Sequence, residues 1–163
     1  MKIVYVELDR CIACLSCQQA CQMQQAAKGN GDHAGIYVNV DMDRRQIFTG
    51  TCLQCETPRC MEVCPIDALT RDAATGAIVV AKDLCFGCGL CVDACPFGYM
   101  RLDDDIFKAV KCDLCNGNPV CVQVCMAEAL HFGNIEQLSQ KKRQHPGLRL
   151  GLRALPKTED SDL

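Results

Sequence analysis

The spacing of apolar and polar positions changes several times along the chain. Residues 36–51 alternate through IYVNVDMD and RQIFTGT, the two-residue period of half-buried strands, and predict a β-hairpin turning near Asp43–Arg44. The apolar run Ile3–Val6 leads into ELDRC much as GAIVVAKDLC leads into a later cysteine group. PIDALTRDAATGAIVV predicts a short helix over Ile66–Leu69, an Ala-Ala-Thr-Gly turn and a strand over Ala77–Val80. Beyond Asn134, NIEQLSQKKRQ fits a short helix that Pro146–Gly147 ends. GLRLGLRALPK then sets Leu148, Leu150, Leu152 and Leu155 among Arg149 and Arg153, and the closing TEDSDL reads as disordered.

Composition points to a thin apolar core. The 49% hydrophobic fraction of the 163 residues includes 16 Cys, there is no Trp, and aromatics make up 5%. A core this poor in large side chains needs a staple, whether disulfide, metal or partner. With 17 Lys+Arg against 20 Asp+Glu, net −3, the chain is neither a strongly basic nucleic-acid binder nor a disordered polyelectrolyte. Ile3–Val6 is too short for a secretory signal, and no run approaches a membrane span. The reducing cytoplasm is therefore the expected compartment, with export beside a signal-bearing partner still compatible. There, many cysteines point to metal rather than disulfides.

The cysteines fall into four groups of four: Cys11, Cys14, Cys17, Cys21; Cys52, Cys55, Cys60, Cys64; Cys85, Cys88, Cys91, Cys95; and Cys112, Cys115, Cys121, Cys125. Groups one and three have the spacing C-x2-C-x2-C-x3-C, group two C-x2-C-x4-C-x3-C and group four C-x2-C-x5-C-x3-C. Pro65 and Pro96 follow the last cysteine of groups two and three, and Gln22 and Met126 stand there in groups one and four. C-x2-C-x2-C-x3-C-P is the bacterial ferredoxin run for a [4Fe–4S] cluster. Three closely spaced thiolates wrap one cubane, and the fourth, expected at the start of a short helix, reaches the other cluster of a pair. Sixteen thiolates supply four [4Fe–4S] clusters. A single zinc ion would be crowded by a third cysteine at x2 and a fourth at x3. A disulfide scaffold lacks its secretory signal, and thiol redox chemistry would use one CxxC.

Groups two and three form one two-cluster unit, and groups one and four pair across it by elimination. CPIDALTRDAATGAIVV, CPFGYMRLDDDIFKAV and CMAEALHFGNI each run from a last cysteine towards a strand, the mark of a repeated unit. The expected fold is α+β, a duplicated bacterial-ferredoxin-like fold with a β-hairpin insert and an extended C-terminal arm. Residues 1–133 form the four-cluster domain: lobe A from 1–22 plus 97–133, lobe B from 50–96, and the insert 23–49. Residues 134–163 form the arm, partly disordered, either a strap on the protein's own surface or a docking arm for another subunit. His33, in the polar loop AAKGNGDHAG, reads as solvent-exposed, and Asp103–Asp105 as a solvated turn.

CLQCETPRCMEVCPIDAL, CFGCGLCVDACPFG and KCDLCNGNPVCVQVC resemble the four-cluster subunits of multi-subunit oxidoreductases over residues 3–133. That family includes the electron-transfer subunits of DMSO reductase, nitrate reductase, formate dehydrogenase and formate hydrogenlyase. It also includes ferredoxin-like subunits paired with carbon monoxide dehydrogenase and tungsten aldehyde oxidoreductase. The resemblance implies the ligand sets. Cys11, Cys14 and Cys17 would share a cluster with Cys125, and Cys21 would join Cys112, Cys115 and Cys121. Cys52, Cys55 and Cys60 would take Cys95, and Cys85, Cys88 and Cys91 would take Cys64. It further implies a non-catalytic subunit of a complex, such as one oxidising aldehyde or formate. One partner would be a large molybdenum or tungsten subunit, the other a flavin protein, hydrogenase or ferredoxin. The chain lacks the long extension that packs on a membrane anchor, which favours a soluble complex.

No nucleophile–base pair stands out, so the expected chemistry is one-electron transfer supplied by the cofactor. Ile12, Leu53, Val63, Ile66, Leu90 and Val122 are expected to shield clusters, and Gly87 and Gly89 to admit close backbone approach to sulfur. Each oxidised cubane with four thiolates carries about −2, so four would take the protein to about −11. Lys141, Lys142, Arg143, Arg149 and Arg153 would offset part of that field, and the arm offers a route to self-association. The alternatives are a free polyferredoxin, a subunit of a hydrogenase or carbon monoxide dehydrogenase system, an oxidation-sensing factor, and a zinc-stabilised interaction module.

Overall fold

The computed structural model describes residues 1–136 and 140. The arm expected over 134–163 falls outside them apart from its first residues. The described chain is a small α+β fold of short strands and short helices. It begins with β1 (Lys2–Val6) and a 3-10 turn, then α1 (Ser16–Ala27), β2 (Ile36–Asp41), β3 (Gln46–Thr51), α2 (Arg59–Glu62) and β4 (Leu69–Arg71). The order then recurs as β5 (Ile78–Val80), α3 (Leu90–Asp93), β6 (Arg101–Asp103), β7 (Lys108–Val110), α4 (Val120–Gln123) and β8 (Leu130–Asn134).

The strands pair as four antiparallel ribbons: β1–β8, β2–β3, β4–β5 and β6–β7. β1 and β8 bring the two ends of the described chain together, from Lys2 opposite Asn134 to Val6 opposite Leu130. The hairpin read from the alternation at 36–51 is present, with its turn over residues 42–45.

The short helices stand one step earlier than the sequence predicts. α2 and α3 each contain the third cysteine of their group and stop before the fourth. Leu69 opens β4 instead of closing a helix over Ile66–Leu69. Proline does not account for this, because α4 likewise holds Cys121 and stops before Cys125, which Met126 follows. Where Gln22 replaces the proline, α1 runs on through Cys21 to Ala27. Its buried side chains Cys17, Cys21 and Gln25 recur every four residues, on one face, and that helix packs on α4.

Two buried clusters carry the fold. The first joins Val4, Cys17, Cys21, Ile36, Cys112, Leu114, Cys121 and Leu130. The second joins Ala68, Leu69, Ile78, Cys85, Cys91, Met100 and Ala109, so the β6–β7 hairpin packs there. Cysteine is thus a main constituent of both cores.

The β6–β7 hairpin is tied down from several sides. Asp103 is buried, 1% exposed, and not part of a solvated turn. Its carboxylate accepts from the backbone N–H groups of Asp105 (3.1 Å) and Ile106 (3.0 Å), and from Asp32 (3.1 Å) in the loop before β2. Burial works to raise that carboxyl, and these N–H donors, with His33, outweigh it and hold it below its ordinary value. A side chain at Gly31 would collide with this carboxylate, which explains the glycine. Lys108 donates to the Cys85 carbonyl and Lys82 to the Ala109 carbonyl.

Candidate metal centres

Each of three cavities gathers three cysteines of one sequence group with the last cysteine of another. An open cavity of about 220 Å³ is lined by Cys52, Cys55, Cys60 and Cys95, with Tyr99, Met100 and Lys111 in its wall. A second, shallower one is lined by Cys85, Cys88, Cys91 and Cys64. A third, also shallow, is lined by Cys11, Cys14, Cys17 and Cys125, with Val38 and Thr49 of the β2–β3 hairpin over it. The remaining four, Cys21, Cys112, Cys115 and Cys121, lie within electrostatic reach of one another between the first and third cavities. All sixteen are free thiols.

Burial controls the thiols. It pushes Cys17, Cys91 and Cys112 each up to about 11, and raises Cys121 further, with Cys112, Cys21 and Cys115 adding to the effect. The exposed Cys14 is the exception, since the Ser16 hydroxyl and N–H hold it below its ordinary value. The mutual influence of the thiols also runs between sets, in a fixed order. Cys91 feels Cys60, Cys112 feels Cys52, and Cys121 feels Cys17. Neighbouring sets are thus in turn within electrostatic reach of one another. The exposed thiols, Cys88 and Cys14, belong to the first and last sets of that order.

Backbone N–H groups point at sulfur in a repeating way. Ala68 donates to Cys64 (3.3 Å) and Ala129 to Cys125 (3.3 Å), each four residues on. Gly35 donates to Cys21 (3.2 Å) and Ala109 to Cys85 (3.4 Å), while the Thr49 hydroxyl meets Cys11 at 3.3 Å. Such bonds orient ligands and tune a bound centre. Gly87 and Gly89 line the second cavity beside the cysteines, and at Gly87 (φ +78°) a side chain would also run into the Phe107 carbonyl. Gly89 (φ +81°) supplies the left-handed residue that starts α3.

The fourth set rests on a left-handed turn, Leu114, Cys115, Asn116 and Gly117, all at positive φ. Asp113 holds it, accepting from the Cys115 N–H at 2.9 Å and from the Lys28 ammonium at 2.6 Å. Burial would raise the Asp113 carboxyl, but Lys28 and the Cys115 N–H keep it below its ordinary range. Of the side chains expected to shield the sets, Leu53 lines the first cavity, Ile66 and Leu90 the second and Ile12 the third. Ile12 (61%), Leu90 (47%), Ile66, Leu53 and Val63 are exposed, and Val122 alone of that group packs against a core. His33 is half-buried.

Sequence reasoning passed over Lys111 and Gln54. Lys111 is 7% exposed and Gln54 fully buried. The Lys111 ammonium donates to the carbonyls of Ile78 (2.5 Å) and Cys112 (2.8 Å) and to the Gln54 side-chain oxygen (3.1 Å). Gln54 also donates to the Cys112 carbonyl (2.9 Å) and accepts from the Ile78 N–H (2.9 Å). The one signal available was a polar residue inside each of CLQC and KCDLC.

The donor chemistry fits an iron–sulfur cofactor. Each set offers four thiols, and N–H groups aim at sulfurs. Among the described residues no three or more His, Cys, Asp or Glu converge as a single metal ion requires. The buried Lys111 ammonium has only neutral acceptors, so it fits a pocket that receives negative charge. These features define a ferredoxin-type iron–sulfur protein.

Comparison with known proteins agrees. Residues 42–135 match the 4Fe-4S dicluster domain and residues 8–24 a 4Fe-4S binding domain. The chain belongs to the 4Fe-4S dicluster domain family. It is 33% identical over 161 residues to Protein NrfC of Escherichia coli, covering 87% of this chain and 71% of that one. It is 33% identical over 156 residues to the putative electron transport protein YsaA of the same species, covering 89% and 98%. To the polyferredoxin-like subunit of an aliphatic sulfonate oxidoreductase from Pyrococcus furiosus it is 35% identical over 130 residues, covering 75% and 70%. Among the described residues no helix is long and apolar enough to cross a membrane.

Proposed function

We propose that this chain is a non-catalytic electron-transfer subunit that holds four [4Fe–4S] clusters in a line within an oxidoreductase complex. The single observation that carries the reading is the gathering of the cysteines into sets of four, three of which each line a cavity. In this reading each cavity or group of mutually influencing thiols is one ligand set: Cys11, Cys14, Cys17 with Cys125; Cys21 with Cys112, Cys115, Cys121; Cys52, Cys55, Cys60 with Cys95; Cys64 with Cys85, Cys88, Cys91. The recurrence of strand, cysteine group, hairpin, cysteine group, strand supports a duplicated ferredoxin-like architecture.

When bound, such clusters supply one-electron transfer over a wide range of potentials. The chain's own residues do the rest. Thiols hold the cofactor, N–H groups set its potential, and rims prepare partner contact. Phe86 (60%) and Leu90 are exposed at one end, and Ile12 and Met126 (73%) at the other. We assign these ends to two redox partners. One is a catalytic subunit with a molybdenum or tungsten cofactor, such as one oxidising formate or an aldehyde. The other is a flavin protein, a hydrogenase or a ferredoxin. The name of the sulfonate oxidoreductase subunit supports a place in such a complex. The name of a further relative, Hydrogenase-2 operon protein HybA, favours the second reading, a hydrogenase system.

The test is anaerobic purification from the native host with untagged partners, followed by metal analysis. About sixteen iron per chain is expected, with molybdenum or tungsten in a co-eluting large subunit. A co-eluting nickel protein would favour the hydrogenase reading, and nothing co-eluting a free polyferredoxin. Zinc in place of iron would overturn the electron-transfer role.

A further inference from the structure

Lys111 is a buried cation without an anion of its own. Its ammonium meets two backbone carbonyls and the Gln54 amide oxygen, all neutral. Among the described residues no carboxylate pairs with it. Asp113 lines the same small polar cavity but is taken by Lys28 at 2.6 Å. An uncompensated buried charge is unfavourable by several kcal/mol in general, so the site requires negative charge from elsewhere.

Its position shows where that charge arrives. Lys111 lines the cavity of Cys52, Cys55, Cys60 and Cys95 on one side. On the other it directly precedes Cys112 and bonds that residue's carbonyl. Burial raises the Cys60 and Cys112 thiols, and the Lys111 ammonium opposes the rise at both. Gln54 fixes the ammonium between them, because its side chain joins the Cys52–Cys55 loop to Cys112 and to β5.

We propose that Lys111 is the fixed counter-charge shared by the two middle thiol sets, and that it raises the reduction potential of the clusters they hold. This rests on the reading of the chain as a four-cluster carrier. Reduction adds an electron to an already negative site, and a nearby cation favours the more negative state. Lys111 is a positioning residue: it tunes the couples and takes no part in electron donation itself.

The experiment uses the anaerobically purified holoprotein, with iron and sulfide counted and the couples resolved by EPR-monitored redox titration. Lys111→Met is expected to move one or two couples to lower potential by at least tenfold in the oxidation equilibrium, 59 mV for a one-electron couple. The outer couples should move by less than threefold, and Lys111→Arg should restore the shifted ones. Unmoved couples, four equal shifts, or an Arg variant that behaves like Met would overturn the proposal. If Lys111→Met and Lys111→Gln lose clusters while Lys111→Arg keeps all four, the charge is required for loading and the proposal stands. If the Arg variant loses them too, Lys111 is a packing element and the proposal fails. A wild-type chain without iron overturns the carrier reading and this inference with it; a loaded chain with unmoved couples overturns this inference alone.

Discussion

Asp103→Ala removes a buried carboxylate that accepts three N–H bonds of 3.0–3.1 Å. A hydrogen bond to a charged group contributes roughly 1.5–3 kcal/mol net. The bonds from Asp105 and Ile106 are local and form in part in the unfolded chain, whereas the bond from Asp32 spans 71 positions. Together they amount to about 2–4 kcal/mol, most of it in seating the β6–β7 hairpin. Met100 and Ala109, which flank that hairpin's core face, line the cavities of the Cys52 and Cys85 sets. Cluster loss in denaturant is irreversible, so the measured quantity is a rate. If the hairpin must open first, the loss speeds loss of those two clusters about 30- to 700-fold, at tenfold per 1.4 kcal/mol. Bleaching of the visible iron–sulfur absorption in urea should become biphasic, with about half of the amplitude in the fast phase. Asp103→Asn keeps one acceptor oxygen and should fall between. A single phase within about threefold of the wild-type rate would refute the role of Asp103.

Three further outcomes are expected. Cys64→Ala should cost the cluster in the cavity of Cys85, Cys88 and Cys91, not that of its own sequence group; iron analysis with EPR of Cys64→Ala beside Cys95→Ala checks the exchange. Gly87→Ala places a side chain at φ +78° against the Phe107 carbonyl. A left-handed non-glycine residue costs about 1–2 kcal/mol, so the variant should lose its Cys85-set cluster at least about fivefold faster in urea. Burial holds Cys17, Cys91 and Cys112 as protonated thiols up to about 11 in the unloaded chain. Thiolate is the ligand, so loading releases protons and strengthens as pH rises towards that value. The same raised values stabilise the folded unloaded chain below its ordinary thiol range, and that contribution disappears as pH climbs through about 11. Anaerobic reconstitution between pH 7.5 and 9.5 with a proton-release readout measures both the direction and the count.

The metal chemistry was legible because thiol spacing is a local code. Alternation gave the β2–β3 hairpin, where both strands lie close in sequence. The helices were misplaced because proline was read as opening a helix after the fourth cysteine. The short helices instead enclose the third cysteine and end at Glu62, Asp93 and Gln123, the last of them with no proline following its group. Asp103 looked like one of three solvated acids. Its burial depends on Gly31 and Asp32, about seventy positions away, which no local pattern encodes. Lys111 reads as an ordinary surface lysine until the fold brings Gln54 against it from 57 positions earlier. Ile12 and Leu90 line cysteine cavities and are also exposed, a combination that apolar character alone does not reveal.

The pairing of thiols across groups also sets a timetable for synthesis. In the proposed sets, the cavities fed by Cys91 and Cys95 are complete midway through translation. Cys11, Cys14 and Cys17 leave the ribosome first but wait for Cys125, 108 positions beyond Cys17. At about 5–20 residues per second that is a delay of roughly 5–20 s. Throughout it these three thiols lack their fourth partner. The β1–β8 ribbon closes over the same interval, since its two strands lie at opposite ends of the described chain. The first cysteines made are therefore the last to be enclosed, and the nascent chain depends on its surroundings to keep them reduced until then.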